Sequence, residues 1–102
     1  MNDVVNSRRA ALIELCRRYK VRQLDSFGSA VTGGFDPSSS DLDFLVEFEL
    51  MPPPEHAEAY FSLKEGLEAL FGRAVDLVIT GAVVNPYFLA RIEATRQRIY
   101  AA

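Results

Sequence analysis

Several features that would point to particular classes of protein are scarce in this chain of 102 residues. Its single cysteine, Cys16, cannot form an internal disulfide, which fits a reducing cytosol. No apolar run approaches the roughly 20 residues that span a bilayer, and the N-terminus lacks the basic-then-apolar order of a signal peptide. A net charge of −3 provides no broad attraction to nucleic acid. These absences predict a cytoplasmic protein that acts without a membrane and without direct nucleic-acid binding.

The composition that remains is typical of a globular protein, with 49% hydrophobic and 25% charged residues. The length is close to the common size of one domain, and no repeat, low-complexity tract or linker divides the sequence. We therefore expect residues 1–102 to form a single domain. Basic residues gather at 17–22 and at 91–98, and both clusters are predicted to be solvated helix faces.

Hydrophobic periodicity and turn residues predict the order helix, strand, strand, helix, strand, helix. The helices are predicted over 3–19, between the prolines at 52–54 and Gly72, and from Asn85 onwards through Phe88, Ile92 and Ile99. The strands are predicted over 21–27, 41–49 and 74–79. This order favours an α+β fold, a small mixed β-sheet with helices packed on one face.

The most informative segment is 26–43, where a Gly-Ser pair (Gly28, Ser29) is followed by an Asp-x-Asp pair (Asp41, Asp43). Residues i and i+2 of a strand share a face, so the two aspartates project together, away from the apolar residues that alternate with them. A third carboxylate, Asp76, lies within the strand-like run Ala-Val-Asp-Leu-Val-Ile. The same alternation can present it to the same cleft.

Glycine, serine and three carboxylates are suited to nucleotidyl transfer. Gly28 lets a backbone approach a phosphate, and Ser29 adds a hydroxyl and, if it opens a helical turn, free amides. Mg²⁺ prefers oxygen ligands and usually takes one or two carboxylates together with substrate phosphates. With Asp41, Asp43 and Asp76, two Mg²⁺ ions become possible, or Asp76 can accept the proton of an incoming hydroxyl. Each residue alone also fits a turn or a solvated position, and the combination favours the catalytic interpretation.

With these motifs the chain resembles the minimal nucleotidyltransferases (MNT type) of the polymerase-beta-like superfamily, whose pattern is Gly-Ser, a short spacer, Asp-x-Asp and a distant Asp. The resemblance covers nearly the whole chain. It implies that Gly28 and Ser29 contact the triphosphate of ATP, that Asp41 and Asp43 bind Mg²⁺, and that Asp76 is the third carboxylate of the metal and catalytic site.

The resemblance also implies a partner. MNT proteins are commonly antitoxins of HEPN-type ribonuclease toxins, and their implied activity is transfer of AMP from ATP to a tyrosine of the toxin. Many members carry Gly-Ser-Arg-Ala-Arg-Gly, whereas here Ala30 and Thr32 stand at the arginine positions. Since the motifs span most of the chain, we expect a partner to supply the acceptor. Two alternatives remain open, a nucleotide-binding antitoxin that neutralises by contact and transfer to a small molecule such as an aminoglycoside. The acceptor, the nucleotide preference and the oligomeric state are also open.

Overall fold

The computed structural model describes residues 3–28 and 41–102, and these residues form an α+β fold. The helices of this part of the chain are α1 (Asp3–Asn6), α2 (Arg9–Arg18), α3 (Pro53–Phe71) and α4 (Pro86–Thr95), and the strands are β1 (Val21–Phe27), β2 (Leu42–Phe48), β3 (Val75–Ile79) and β4 (Gln97–Ala101). Among them, no helix combines the length and the hydropathy that crossing a bilayer would require.

The four strands form one mixed sheet in the order β3-β2-β1-β4. β1 pairs antiparallel with both β2 and β4, and β2 pairs parallel with β3. A parallel pair needs a long crossover connection, and α3 provides it. The predicted mixed sheet is therefore confirmed, with β2 and β1 at its centre.

One face of the sheet carries the main core beneath α2 and α3. Leu42, Phe44 and Val46 alternate along β2, and all three are fully buried there. Leu12 of α2 and Leu67 of α3 cover them. Burial of each large apolar side chain contributes roughly 1.5–3 kcal/mol. This face carries the helices as predicted.

α4 lies on the opposite face of the sheet, where the prediction placed no helix. Phe27, Leu45 and Ile92 are buried together there, and Phe88 packs against them with its ring 6.0 Å from that of Phe27. Phe27 and Leu45 are apolar side chains on the face that also carries the aspartates. Exposing these two side chains to water would be unfavourable, and α4 covers them. Asp41 and Asp76, at the ends of β2 and β3 on this side, stay exposed.

The prediction of a final helix through Ile99 is wrong. α4 ends at Thr95, Arg96 is extended (φ −62°, ψ 137°), and Gln97–Ala101 pairs with β1 as a fourth strand. Ile99 joins the core under α2 and α3. The spacing from Ile92 to Ile99 matches a helical period, but the hydrogen bonds that β1 offers at its open edge favour a strand.

The predicted helix over 3–19 is divided in two, and other helix ends are as predicted. The Ser7 hydroxyl donates to the Val4 carbonyl oxygen (3.0 Å) between α1 and α2, a bond that competes with helical pairing. Gly72 ends α3 in the left-handed conformation (φ 64°). The Asn85 side chain begins α4 by accepting from the Tyr87 backbone N–H (2.9 Å).

Candidate active site

Three neighbouring strands bring predicted site residues to one end of the sheet. Asp43 at the start of β2 is the register partner of Phe27 in β1 on one side and of Asp76 in β3 on the other. Gly28 directly follows Phe27, and Asp41 lies one residue before β2 begins. Register partners share a face of a sheet, so Asp43 and Asp76 project on the same side as α4.

Asp43 is the most enclosed of the three carboxylates. It is half-buried, whereas Asp41 and Asp76 are exposed. Burial raises the pKa of Asp43 above its ordinary value of 3.8, the charges of Asp76 and Asp41 raise it further, and the charge of Arg91 lowers it. The three carboxylates therefore act on one another electrostatically, and their mutual repulsion favours binding of a cation.

Gly28 is the residue that permits the carboxylate of Asp43 to lie where it does. Gly28 has a φ of +75°, and a Cβ atom at this position would lie 2.6 Å from Asp43 Oδ2. Such a contact is far inside van der Waals distance, and an L side chain also disfavours this backbone conformation. A glycine after β1 is thus favoured by the turn, and any larger residue there would have to displace the carboxylate of Asp43.

The donor set suits Mg²⁺, although the side chains do not already converge. Within residues 3–28 and 41–102, no group of three or more His, Cys, Asp or Glu side chains is close enough together to hold a metal ion. Cross-strand neighbours such as Asp43 and Asp76 have Cβ atoms roughly 4.5–5.5 Å apart. One or two carboxylates completed by substrate phosphates are the set that Mg²⁺ usually takes, so the carboxylates present fit this ion without a preformed cage.

Ser29 lies outside the described residues, as do Ala30 and Thr32. The predicted phosphate contact of Ser29 therefore stays a prediction.

Comparison with known proteins assigns the family. The nucleotidyltransferase domain family matches residues 9–100, nearly the whole chain. The chain belongs to this family. It is also 37% identical to a protein of Methanocaldococcus jannaschii named as a protein adenylyltransferase, over 91% of this chain and 88% of that protein. The resemblance to nucleotidyltransferases is confirmed.

Solved structures of other nucleotidyltransferases have the same fold. A minimal nucleotidyltransferase superposes with a TM-score of 0.69 and is 31% identical, covering 95% of both chains. A structure of a tri-AMPylated HEPN toxin of Shewanella oneidensis in complex with its MNT antitoxin superposes with a TM-score of 0.63. It is 18% identical and covers 95% of this chain and 72% of that one, so this second likeness supports the fold alone.

Two residues of α4 adjoin this nucleotidyltransferase site and were not among those predicted for it. Arg91 Nη2 lies 3.8 Å from the position that a Cβ on Gly28 would occupy. The Gly28 N–H donates to Thr95 Oγ1 (3.0 Å), and the Thr95 hydroxyl donates to the Arg91 carbonyl oxygen (2.8 Å). Arg91 is exposed, as a solvated helix residue would be, yet it faces Asp43. The sequence signal that could have directed attention to Arg91 was the absence of arginine at positions 30 and 32.

Asp25, next to the site in β1, binds the other two arginines of the predicted solvated cluster. Its carboxylate is 1% exposed and accepts from Arg96 at Oδ2 (2.6 and 2.8 Å) and from Arg98 at Oδ1 (2.8 Å). The hydrogen bond to Asp25 is also the main reason why the pKa of Arg96 is raised. The prediction of a solvated helix face does not hold for these two residues, because Arg96 is only partly exposed, Arg98 is exposed but lies in β4, and both neutralise a buried charge.

Proposed function

We propose that this protein transfers AMP from ATP to a hydroxyl of a partner protein, and that the partner is a HEPN-type toxin which it thereby neutralises. The observation that carries the proposal is the alignment of Gly28, Asp43 and Asp76 on adjacent strand ends in a nucleotidyltransferase fold. The name of the M. jannaschii relative and the AMPylated toxin bound to an MNT antitoxin support the direction of transfer.

In this proposal the nucleotide lies against the strand ends. Gly28 and Ser29 hold its phosphates, since a glycine leaves space for them and a serine donates a hydrogen bond. Asp41 and Asp43, with Asp76, would hold Mg²⁺, which neutralises phosphate charge and polarises the phosphoryl group when bound. The half-buried position of Asp43 and the exposure of Asp41 and Asp76 leave one side of the group open to the substrate.

The reaction is a displacement at the α-phosphorus of ATP. The acceptor oxygen forms a bond to phosphorus, the bond from phosphorus to the bridging oxygen of pyrophosphate breaks, and pyrophosphate leaves. Asp76 accepts the proton that the acceptor hydroxyl loses. A partner protein that docks at the open side would hold its tyrosine against the phosphate, and such positioning lowers the barrier by several kcal/mol relative to a free encounter.

The test is co-expression of the protein with its candidate toxin, followed by intact-mass analysis of the toxin. We expect mass increments of roughly 329 Da, one AMP unit each, as for any covalent modification. The variant Asp41→Asn/Asp43→Asn should abolish them. Glu47→Gln is the matched control, because Glu47 lies on the same strand and face but away from the site, where it pairs with Arg22 (3.7 Å).

The outcome separates transfer from neutralisation by contact. If the Asp41→Asn/Asp43→Asn variant neutralises the toxin as well as the wild type does, and neither sample shows a mass shift, the protein acts as a contact-only antitoxin. If mass shifts appear only on an added aminoglycoside, the acceptor is a small molecule and the partner is misassigned.

A further inference from the structure

Arg91 is the cation that the described part of the site holds beside its carboxylates. α4 is anchored over the end of β1, because Ile92 is buried with Phe27 and Leu45. The last turn of α4 is also tied to the site by the two hydrogen bonds of Thr95, one from the Gly28 N–H and one to the Arg91 carbonyl oxygen. The backbone of Arg91 is therefore positioned by the same glycine that adjoins Asp43.

Among residues 3–28 and 41–102, the guanidinium of Arg91 forms no ion pair with a carboxylate. Its Nη2 lies 3.8 Å from the position that a Cβ on Gly28 would occupy, and Asp43 Oδ2 lies 2.6 Å from that same position. Arg96 and Arg98, in contrast, are bound to Asp25. An arginine that is positioned but not paired can bind an anion without first breaking an ion pair.

The charge of the substrate favours a further cation here, in addition to the Mg²⁺ that the carboxylates would hold. The phosphates of a nucleoside triphosphate would enter beside Asp41, Asp43 and Asp76, and like charges repel. The Gly-Ser loop has Ala30 and Thr32 where basic residues would offset that charge. Arginine suits the role, because its planar fork of N–H donors matches two phosphate oxygens at once.

We propose that Arg91 binds the phosphate chain of the nucleoside triphosphate from the α4 side of the cleft, on the side of Gly28. The inference rests on the proposed function, since it concerns the same site, and it assigns to α4 a positive charge that the sequence of residues 28–40 does not contain. Arg91 donates hydrogen bonds to non-bridging phosphate oxygens, and its charge offsets that of the phosphates.

The test compares the dissociation constants of ATP and of pyrophosphate, each with Mg²⁺, for the wild type and three variants. Arg91→Met should weaken both on the order of 10- to 100-fold, the range for a hydrogen bond to a charged group. Arg91→Lys should recover part of the loss, because it restores the charge without the fork. Arg18→Met is the matched control, since it removes an exposed arginine from α2 on the opposite side of the sheet, and it should leave both constants unchanged.

Two binding results would overturn the inference. One is an ATP affinity of Arg91→Met within twofold of the wild type. The other is a loss of ATP affinity with pyrophosphate affinity unchanged, which would place Arg91 against the base or the ribose. Arg91 is exposed, so the melting temperature should not change, and a large fall with no recovery by lysine would mark a structural role.

This experiment is independent of the identity of the acceptor. If the wild type binds ATP through Arg91 but no toxin gains mass on co-expression, the proposed function fails and this inference stands. If the toxin is AMPylated and Arg91→Met binds both ligands normally, the inference alone fails.

Discussion

Gly28 shows how the absence of a side chain can define a carboxylate site. Asparagine can adopt the positive φ of Gly28 at some cost in energy. Its Cβ atom, however, would lie 2.6 Å from Asp43 Oδ2, which is too close for two non-bonded atoms. We predict that Gly28→Ala displaces the Asp43 carboxylate and reduces AMP transfer at least 10-fold, measured by the rate of toxin modification at saturating ATP.

Gly72→Ala is the control for this substitution. Gly72 has nearly the same conformation (φ 64°), and a Cβ there would meet nothing within 4 Å. Both variants carry the backbone strain of an alanine in the left-handed region, about 1 kcal/mol, but only Gly28→Ala disturbs a carboxylate. Equal activities of the two variants would show that the contact with Asp43 is unimportant.

The raised pKa of Asp43 makes a prediction about stability. Because the folded protein binds this proton more tightly than the unfolded chain does, its contribution to stability is greatest below the ordinary pKa of 3.8 and is lost as the pH rises through the higher folded value. At pH 7 and without metal the ionised group therefore destabilises the fold. Asp41→Asn/Asp43→Asn should melt at the same temperature as the wild type or higher, measured in EDTA.

The same measurement at lower pH provides the check. As the pH is lowered the difference between the variant and the wild type should shrink, since the raised pKa of Asp43 means that it takes up its proton more readily in the folded protein than in the unfolded chain. A large fall in melting temperature at both pH values would instead mean that the aspartates are structural hydrogen-bonding groups.

At the scale of elements, β2 could be predicted from its own sequence, whereas the C-terminal strand β4 could not. In β2 the apolar residues Leu42, Phe44, Val46 and Phe48 alternate with Asp43, Leu45 and Glu47, so its strand period could be recognised from the sequence. The spacing of Ile92 and Ile99 is compatible with a helix. The residues from Gln97 onwards instead form a strand, because they pair with the open edge of β1. Asp25 could not be recognised as buried, because its partners Arg96 and Arg98 lie about 70 residues away in the sequence.

The ion pairs of Asp25 attach the segment after α4 to β1, and they should contribute strongly to stability. Arg96→Met leaves a buried carboxylate with one partner fewer, so we predict destabilisation by about 3 kcal/mol, or roughly 10–20 °C in melting temperature. Arg18→Met removes only an exposed pair with Glu14 (4.0 Å) and should cost less than about 1 kcal/mol. Urea unfolding of both variants measures the difference, and equal stabilities would contradict a structural role for the Asp25 cluster.

At the scale of the whole molecule, the sequence predicted the fold class and the grouping of the carboxylates better than it predicted their surroundings. Asp43 and Asp76 could be placed on one face because strand alternation is local, and the parallel register of β2 and β3 brings them side by side. The position of α4 beside Asp43 and the proximity of Arg91 were not predictable, since both depend on how an amphipathic helix packs across the sheet. Local periodicity thus indicates which side chains lie on the same side of the sheet. Which residues of other elements contact them depends on tertiary packing.

Because the site joins the ends of three strands, ligand binding there should stabilise the entire fold. A ligand that binds only the folded state adds about 2.7 kcal/mol at 100 times its dissociation constant, which corresponds to a rise in melting temperature on the order of 10 °C for a domain of this size. We predict this rise for a non-hydrolysable ATP analogue with Mg²⁺ and a much smaller one in EDTA, because the metal connects the phosphates to Asp41 and Asp43.

Asp43→Asn should lose most of the stabilisation even with Mg²⁺, since a carboxylate ligand is missing. Glu47→Gln should retain it, because Glu47 lies further along β2 and pairs with Arg22. The measurement is the rise in melting temperature that the ATP analogue causes in the wild type and in these two variants, with Mg²⁺ and in EDTA. An equal rise with and without Mg²⁺ would show that the nucleotide binds without the carboxylates, and it would contradict a metal-dependent site at Asp41 and Asp43.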